Sequence, residues 1–219
     1  MTFTLKTLSC FVASAAIFLG ATTSIAANRP APSARSVGPT ELEMQVLLDR
    51  ANFSSGQIDG KSGKNSREAL AAFQAARGLA PGARSRKVLL KALGADSVKP
   101  IVSYTITAAD VAGPFNKTIP EDATEQSKLP GLYYTSVLEE LAGKFHSAQA
   151  LLRRLNPRAR FIQGEHIRVP NVLGAEQATR AQTGAVKIVV SKKASVLMVY
   201  DREGQVIFYA PVTSGSEHD

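Results

Sequence analysis

The sequence predicts an α+β protein built from several small modules rather than one large domain. Apolar residues recur at helical spacing in the first half of the chain, and after Ala185 they alternate as they do in strands. Polar segments separate these periodic stretches. Aromatic residues make up only 6% of the 219 residues, and none is Trp, which fits several small cores better than one large core.

Residues 1–27 have the composition of a secretory signal peptide. Lys6 supplies a positive start, an uncharged apolar run follows, and Ser24 and Ala26 are small residues at the −3 and −1 positions of a cleavage site. We therefore expect export and no stable membrane span after cleavage; the alternative is a retained membrane anchor. Cys10 is the only cysteine, so the expected mature chain has no disulfide and no thiol nucleophile.

The charge balance points to an acidic partner. The chain has 26 Lys and Arg against 18 Asp and Glu, a net charge of +8. Removing the signal peptide takes away only Lys6, which leaves 25 − 18 = +7. Such a surface suits nucleic acid, anionic lipid or an acidic polymer. Export disfavours nucleic acid, so we expect an acidic polymer outside the cytoplasm.

Residues 40–95 predict three short helices. Thr40 is placed to cap the first helix, which runs to about residue 51. Asn65 and Glu68 have the spacing of a capping box for the second helix, and Ser85 is placed to cap the third.

Glycines end the second and third of these helices. Gly78 and Gly94 follow the last periodic residues and can adopt the left-handed conformation that stops a helix. Apolar residues at helical spacing are expected to face a shared core: Met44, Leu47, Leu48, Leu70, Phe73, Ala76, Leu89, Leu90 and Leu93.

Residues 41–93 also resemble the small three-helix peptidoglycan-binding domain of bacterial wall enzymes. The resemblance departs from the family at Ser62, where an aromatic is usual, at Ser66, which replaces a threonine, and at Asn52, which replaces a glycine. The residues that carry it are Met44-Gln45, Leu48, Gly56, Ile58-Asp59-Gly60, Gly63, Ala69, Phe73-Gln74 and Gly78-Leu79.

This resemblance implies binding to peptidoglycan, whose free carboxylates also suit a basic protein. Asp59 and Gly60 at the predicted turn, and Gln74 at the surface of the second helix, are the candidate binding residues. Asp59 equally suits a simple turn-forming role. Phe73 is predicted to be core rather than a stacking surface.

Residues 100–172 predict a strand, two helices and a second strand, with an inserted loop at residues 113–133. Val102–Ile106 alternates as a strand, and Thr107–Asp110 is expected to turn. Ser136 forms a capping-box spacing with Glu139.

The second predicted helix of this segment begins at Ser147 and ends at Asn156-Pro157, with Ala150, Leu151 and Leu155 inward. His166–Val169 is the closing strand. This βααβ order resembles a LysM domain, which implies binding to N-acetylglucosamine polymers. The resembling residues are Tyr104-Thr-Ile-Thr, Ala142, Phe145, Leu152, Leu155-Asn156-Pro157, Gly164, Ile167 and Val169-Pro170.

Polar segments at 28–39 and 173–184 are predicted to be linkers, and residues 185–219 to be three strands joined as hairpins. The strands are Val186–Val190, Val196–Tyr200 and Gln205–Val212, with a turn at Asp201–Gly204 between the last two. Because no partner for their apolar residues is evident, we expect this tail to be the least stable part of the chain.

The same tail resembles the opening hairpins of an L,D-transpeptidase domain, through Lys187–Ser191, Val196–Tyr200 and Ala210–Gly215. That family joins stem peptides by acyl transfer through a cysteine. Its histidine and its Ser/Thr-His-Gly-Cys run do not occur in these 219 residues. We therefore expect no catalytic residue in this chain and no activity as given.

Further candidate binding residues lie near the end of the second helix in residues 100–172. Arg153 and Arg154 begin a basic run that could pair with wall carboxylates, although such runs are usually solvated surface. Asn156 could present backbone groups to a sugar or could simply stop the helix. The three histidines lack ligand spacing, so neither a metal nor a cofactor is expected.

Two functions remain open from the sequence. One is an exported L,D-transpeptidase family protein that lacks its catalytic motif in these residues. The other is a non-catalytic cell-wall-binding protein. Both place the chain in the periplasm or cell wall of a bacterium.

Overall fold

The computed structural model describes residues 40–80, 86–95, 98–173 and 184–213, all within one compact unit that spans Val37–Asp219. The predicted signal peptide, the 28–39 linker, Ser85 and most of the 173–184 linker lie outside the described residues. We call residues 40–95 the helical module, 98–173 the central module and 184–213 the C-terminal sheet.

The described residues mix helices and strands, which confirms the α+β class. None of the helices found there is long and apolar enough to span a membrane. The helices are α1 (Glu41–Arg50), α2 (Lys64–Ala76), α3 (Arg86–Ala92), α4 (Ala108–Ala112), α5 (Ala123–Ser127), α6 (Val137–Lys144) and α7 (Gln149–Leu155), and the strands are β1 (Ile101–Thr105), β2 (His166–Pro170), β3 (Lys187–Ser191), β4 (Val196–Tyr200) and β5 (Val206–Pro211).

The caps of the helical module follow the sequence signals at two positions and depart from them at a third. Thr40 and Glu43 form a reciprocal capping box at the start of α1. Gly78, at φ 61°, ends α2 with the paired backbone bonds of a Schellman motif. The predicted capping box at Asn65 is wrong, because α2 begins at Lys64 after Gly63 with no side-chain cap.

Helix α1 buries residues in two different cores. Val46 packs into the core of the central module, whereas Leu47 and Leu48 pack with Phe53 and Phe73 in the core of the helical module. Successive residues on a helix point 100° apart, so adjacent positions can serve two neighbours. The first helix is therefore shared between modules.

The central module closes around an antiparallel pair of strands. β1 pairs with β2 so that Tyr104 lies opposite Ile167 and Val102 opposite Val169. α7 packs against β2, and α6 packs against α7. The core residues they share, each at most 5% exposed, are Ile106, Leu138, Leu141, Ala142, Phe145, Leu151, Leu152, Ile167 and Val169.

Several predicted details of this module are wrong. Thr107 caps helix α4 in a capping box with Asp110, where a plain turn was expected. Helix α7 begins after Ala148 rather than at Ser147, whose side chain is buried, and Ala150 faces solvent. A Thr-x-x-Asp spacing was present in the sequence and signals a helix start.

The insertion at residues 113–133 is mostly exposed and contains the short helix α5, capped by Asp122. Beyond it, Ser136 caps α6 as expected. The Glu139 carboxylate accepts from the Thr135 N–H at 2.7 Å, not from the N–H of Ser136 as a complete capping box requires.

The C-terminal sheet has the order β3-β4-β5, with both pairs antiparallel. Its inner face is covered, which makes the expected absence of a partner wrong. Val196 and Tyr209 are buried in the core of the helical module beside Phe53 and Phe73. Ile188 and Val190, on the outer face, stay exposed.

Strand β5 is paired along both of its edges. β4 lies on one side, and residues 52–54 of the helical module lie parallel to the other. The Ser54 N–H donates to the Tyr209 carbonyl and the Tyr209 N–H to the Asn52 carbonyl, both at 2.8 Å. Among the described residues, β3 is therefore the unpaired edge of this sheet.

The helical and central modules also meet through backbone hydrogen bonds. The Ile58 N–H donates to the His146 carbonyl at 2.8 Å, and the Ala148 N–H donates to the Ile58 carbonyl at 3.0 Å. Beside them, His146 Nδ1 lies 2.9 Å from Asp49 Oδ2. The three modules are thus packed together rather than strung on flexible linkers.

We expect Phe73→Ala to destabilise both the helical module and the C-terminal sheet. Phe73 is fully buried and packs edge-on against Phe53 with ring centroids 5.4 Å apart. Loss of a buried phenylalanine costs about 3–5 kcal/mol. Chemical denaturation of the full chain, followed by circular dichroism, measures this loss.

The control for Phe73→Ala is Phe208→Ala, since Phe208 is 36% exposed on the outer face of the sheet. It should shift the unfolding midpoint much less. Equal shifts in the two variants would show that Phe73 is not central to the core.

Candidate functional site

A buried glutamine organises the turn at Asp59 and Gly60. The Gln45 side chain is 2% exposed, and its Oε1 accepts from the N–H groups of Asp59 at 3.1 Å and Gly60 at 2.8 Å. Its Nε2 lies 3.0 Å from Asp59 Oδ1, 3.1 Å from the Lys61 carbonyl and 3.2 Å from Ser66 Oγ. Both ends of one side chain therefore fix the turn conformation.

This network keeps Asp59 ionised. Burial raises the pKa of Asp59, but hydrogen bonds from Gln45 and the Lys61 N–H, together with the Lys61 charge, outweigh it and hold that pKa below its usual range. Asp59 is half-buried, so the turn presents a fixed negative charge at the surface.

Arg154 brings the central module onto the same turn. Its Nη2 donates to the Asp59 carbonyl at 2.7 Å. A methyl group at Gly60 would lie 3.2 Å from this nitrogen, so glycine gives Arg154 room to approach. The candidate residues Asp59 and Gly60 of the helical module are thus in contact with Arg154 of the central module.

Arg153 does not join that contact and belongs to an exposed basic surface. We call the exposed arginines Arg153, Arg154, Arg158, Arg160 and Arg168 the arginine surface. Within the part of the chain that the structure describes, no carboxylate lies within 4.0 Å of their guanidinium groups. The surface is available to an acidic ligand.

Arg168 is a member that sequence analysis missed. It lies on β2 between the buried residues Ile167 and Val169, so strand alternation places it on the outer face. The alternation was readable in the sequence, but only the pairing of β2 with the end of α7 brings Arg168 to this surface.

The Asn156 side chain joins the end of α7 to β2. Its Nδ2 donates to the carbonyls of Leu152 at 2.9 Å and Arg168 at 2.8 Å, and its Oδ1 accepts from the Arg168 N–H at 2.7 Å. These bonds end α7 and hold β2 against it. The side chain is committed to structure, which agrees with the helix-stop interpretation.

Gln74 is placed differently from the prediction. We expected it at the helix surface, but it is only 8% exposed. It lies in α2 next to the core residue Phe73. This burial leaves little of its amide for a polymer to contact.

A second polar network, which the sequence analysis did not predict, lies in the central module. Asp110 is 3% exposed and accepts from Lys144 Nζ at 2.6 Å, the Tyr104 hydroxyl at 2.7 Å and the Thr107 N–H at 2.8 Å. Burial raises the pKa of Asp110, but these hydrogen bonds outweigh it and hold the pKa well below its usual range. Burial lowers the pKa of Lys144, and bonding to Asp110 more than offsets this.

Comparison with known protein families gives a match to the first two helices of the helical module. A family model described as a peptidoglycan-binding domain matches residues 39–82. Residues 39–82 are similar to a peptidoglycan-binding domain. This stretch holds Gln45, Asp59 and Gly60, so the organised turn lies inside the domain. No curated protein matches the chain.

We expect Gln45→Ala to destabilise the peptidoglycan-binding domain. The substitution leaves the half-buried N–H groups of Asp59 and Gly60 without their acceptor, and an unsatisfied donor costs up to about 1–3 kcal/mol where water cannot reach it. Urea denaturation measures the change. Gln57→Ala is the matched control, since Gln57 is exposed in the same loop and should change stability by under about 0.5 kcal/mol. Similar small losses in both variants would refute the role of Gln45.

We expect acid to weaken the protein partly through Asp110. Because its folded pKa lies below its ordinary value near 3.8, its contribution is present above that value and is lost as pH falls toward the folded pKa. Asp110→Asn should therefore flatten the decline of unfolding free energy between about pH 5 and pH 2.

Lys144 affects the unfolding free energy at alkaline pH. Its folded pKa is raised, so its contribution to stability is present below its ordinary value of 10.5 and is lost as pH rises above it.

The control for Asp110→Asn is Glu121→Gln, at an exposed carboxylate, which should retain the wild-type decline of unfolding free energy in acid. An unchanged slope in Asp110→Asn would contradict the assignment.

Proposed function

We propose that this chain is an exported protein that binds peptidoglycan through its helical module and the arginine surface beside it. The peptidoglycan-binding domain at residues 39–82 is the observation that carries the proposal. The contact of Arg154 with the Asp59 carbonyl supports it, because it joins the arginine surface to the organised turn of that domain.

The arginine surface suits the carboxylates of the stem peptides. A guanidinium group donates two parallel hydrogen bonds to a carboxylate, which gives both strength and direction. Arg153 and Arg158 are exposed and free of carboxylates within the described ranges. In this proposal they bind stem peptides, while Asp59, held ionised, faces the free amino group of a stem peptide.

We further propose that the central module is LysM-like and contacts the glycan. Between β1 and β2 the chain forms α4, α5, α6 and α7, and β1 pairs with β2 antiparallel. The two strands together with α6 and α7 support this proposal, since a βααβ arrangement is what the resemblance implies. The insertion at residues 113–133 distinguishes the central module from a βααβ arrangement without an insertion.

A second candidate function is membership of the L,D-transpeptidase family, in which this wall-binding part would deliver a catalytic domain to stem peptides. The three-stranded antiparallel sheet at β3, β4 and β5 supports this candidate, because that family is expected to open with such hairpins. Sequencing of the reading frame beyond codon 219 tests it. A Ser/Thr-His-Gly-Cys run would support the enzyme, and a stop codon would favour a non-catalytic binding protein.

We expect the chain lacking residues 1–27 to co-sediment with purified sacculi at low salt. Arg153→Ala/Arg158→Ala should bind several-fold more weakly, because two charge-assisted contacts are lost. Arg202→Ala, an exposed arginine in the β4–β5 turn, should bind like wild type.

Chemical amidation of the sacculi tests whether the arginines bind the carboxylates of the stem peptides. Removing the stem carboxylates should lower wild-type binding to the level of the double variant and should not weaken the double variant further. Recovery of the wild-type chain only in the supernatant would overturn the proposal. Complete loss at moderate salt would mean that charge alone carried the binding.

A further inference from the structure

Strand β3 is the open edge of the C-terminal sheet. One of its sides pairs with β4, and among the described residues no strand lies along the other. In an antiparallel pair, alternate residues direct their backbone N–H and C=O groups away from the partner strand. The open side of β3 therefore carries backbone groups to which another extended chain can bond.

The large apolar side chains beside this edge are the most exposed ones of the sheet. Ile188 is 66% exposed, Val190 59% and Val186 56%. Because they alternate along the strand, all three lie on its outer face. On β4, the residues opposite the first two are Val199 and Leu197, which are half-buried. A further strand beside β3 would cover its side chains as β3 covers those of β4.

The middle of β3 lacks the charge, the proline and the bulge with which proteins block strand edges. Residues 188–190 are Ile-Val-Val. β3 and β4 pair residue by residue without a register shift. The central part of this edge is therefore regular, uncharged and able to pair.

Lysines at the ends of β3 set the charge that a partner must carry. Lys187, Lys192 and Lys193 are exposed, and within the described ranges no carboxylate lies within 4.0 Å of their ammonium groups. Lys187 lies opposite Tyr200, which is followed by two acidic residues and one arginine within residues 201–204. The stronger positive charge is therefore at Lys192 and Lys193, where it attracts an acidic partner.

We propose that β3 binds an extended, acidic segment of a partner protein, which joins the three-stranded sheet as a further strand. Its backbone bonds to the open edge along residues 188–190. Its alternate apolar side chains cover Val186, Ile188 and Val190, and its acidic residues pair with Lys192 and Lys193.

Each feature of the edge selects a property of this partner. Backbone pairing requires an extended peptide, the exposed apolar side chains require apolar residues at alternate positions, and the lysines require acidic residues at the end of the segment. A second copy of β3 has lysines in place of those acidic residues. The inference does not rest on peptidoglycan binding, because the partner is a protein.

The experiment uses the chain lacking residues 1–27 and a fluorescent synthetic peptide, in which valines alternate with threonines between two aspartates at each end. Fluorescence anisotropy should show saturable binding. Lys192→Glu/Lys193→Glu should weaken binding about tenfold or more, and it should favour a peptide with lysines in place of the aspartates. Lys117→Glu/Lys128→Glu, at exposed lysines of the insertion, makes the same change in net charge and should bind as wild type.

A second pair of variants distinguishes the edge of the sheet from its face. Ile188→Thr keeps a β-branched side chain and should weaken binding about fivefold through lost apolar contact. Phe208 is on the same outer face but two strands away from the open edge, so Phe208→Ala should bind as wild type. Both variants alter exposed residues and should keep the wild-type melting temperature. Equal losses in the two would place the peptide on the face and overturn the proposal.

Two methylated peptides test strand pairing with side chains and charge unchanged. Each carries N-methyl groups at alternate amides of the valine–threonine run, in opposite phase. Because successive N–H groups of a strand point to opposite sides, one peptide should lose binding and the other should retain it. Equal affinity of the two methylated peptides would overturn the proposal.

Further outcomes separate this inference from the proposed function. Binding to sacculi without binding to the peptide would overturn the inference alone, and binding to the peptide without binding to sacculi would overturn the proposed function alone. Binding to anionic phospholipid vesicles that Ile188→Thr abolishes, in place of peptide binding, would identify a membrane contact. Dimerisation in sedimentation that Ile188→Thr abolishes, again without peptide binding, would identify a second copy; either result would overturn the assignment of a peptide partner.

Discussion

The arrangement of the modules depends on helix α1, which is buried from two sides. Val46 enters the core of the central module, while Leu47 and Leu48 enter the core that the C-terminal sheet completes through Val196 and Tyr209. Some fifty residues in three short helices bury little apolar surface by themselves. The helical module is therefore stabilised by neighbours on both sides, and its turn at Asp59 is held by this larger structure.

Polar contacts between the modules fall where helices end, because backbone groups are unpaired there. Arg50, in the last turn of α1, donates to the Asn171 carbonyl at 2.7 Å. Ile58 bonds the backbone of the turn between α6 and α7. These bonds are directional, so they set the angle between modules that apolar packing alone would leave loose. The arginine surface is consequently held at a fixed position beside the Asp59 turn.

Some local signals were readable from the sequence, whereas contacts between modules were not. Thr40, Gly78 and Ser136 carry chemistry that acts within a few residues, and each ends or begins a helix as predicted. Gln74 was misplaced because helical periodicity alone does not show which faces a neighbouring module covers. Arg168 comes to the arginine surface only through Asn156, twelve residues away in the chain. Contacts between residues this far apart in the chain do not follow the periodicity of a helix or a strand, so the sequence pattern does not reveal them.

The double pairing of β5 has a consequence for how copies of this protein behave toward each other. Because residues 52–54 take one side of β5, the strand edge that faces solvent among the described residues belongs to β3. Lys187 begins that strand, and Lys192 and Lys193 follow directly after it. Lysines at the two ends of an edge strand repel a second copy that carries the same charges. Despite its apolar outer face, the sheet is thus protected from growing into intermolecular β-structure.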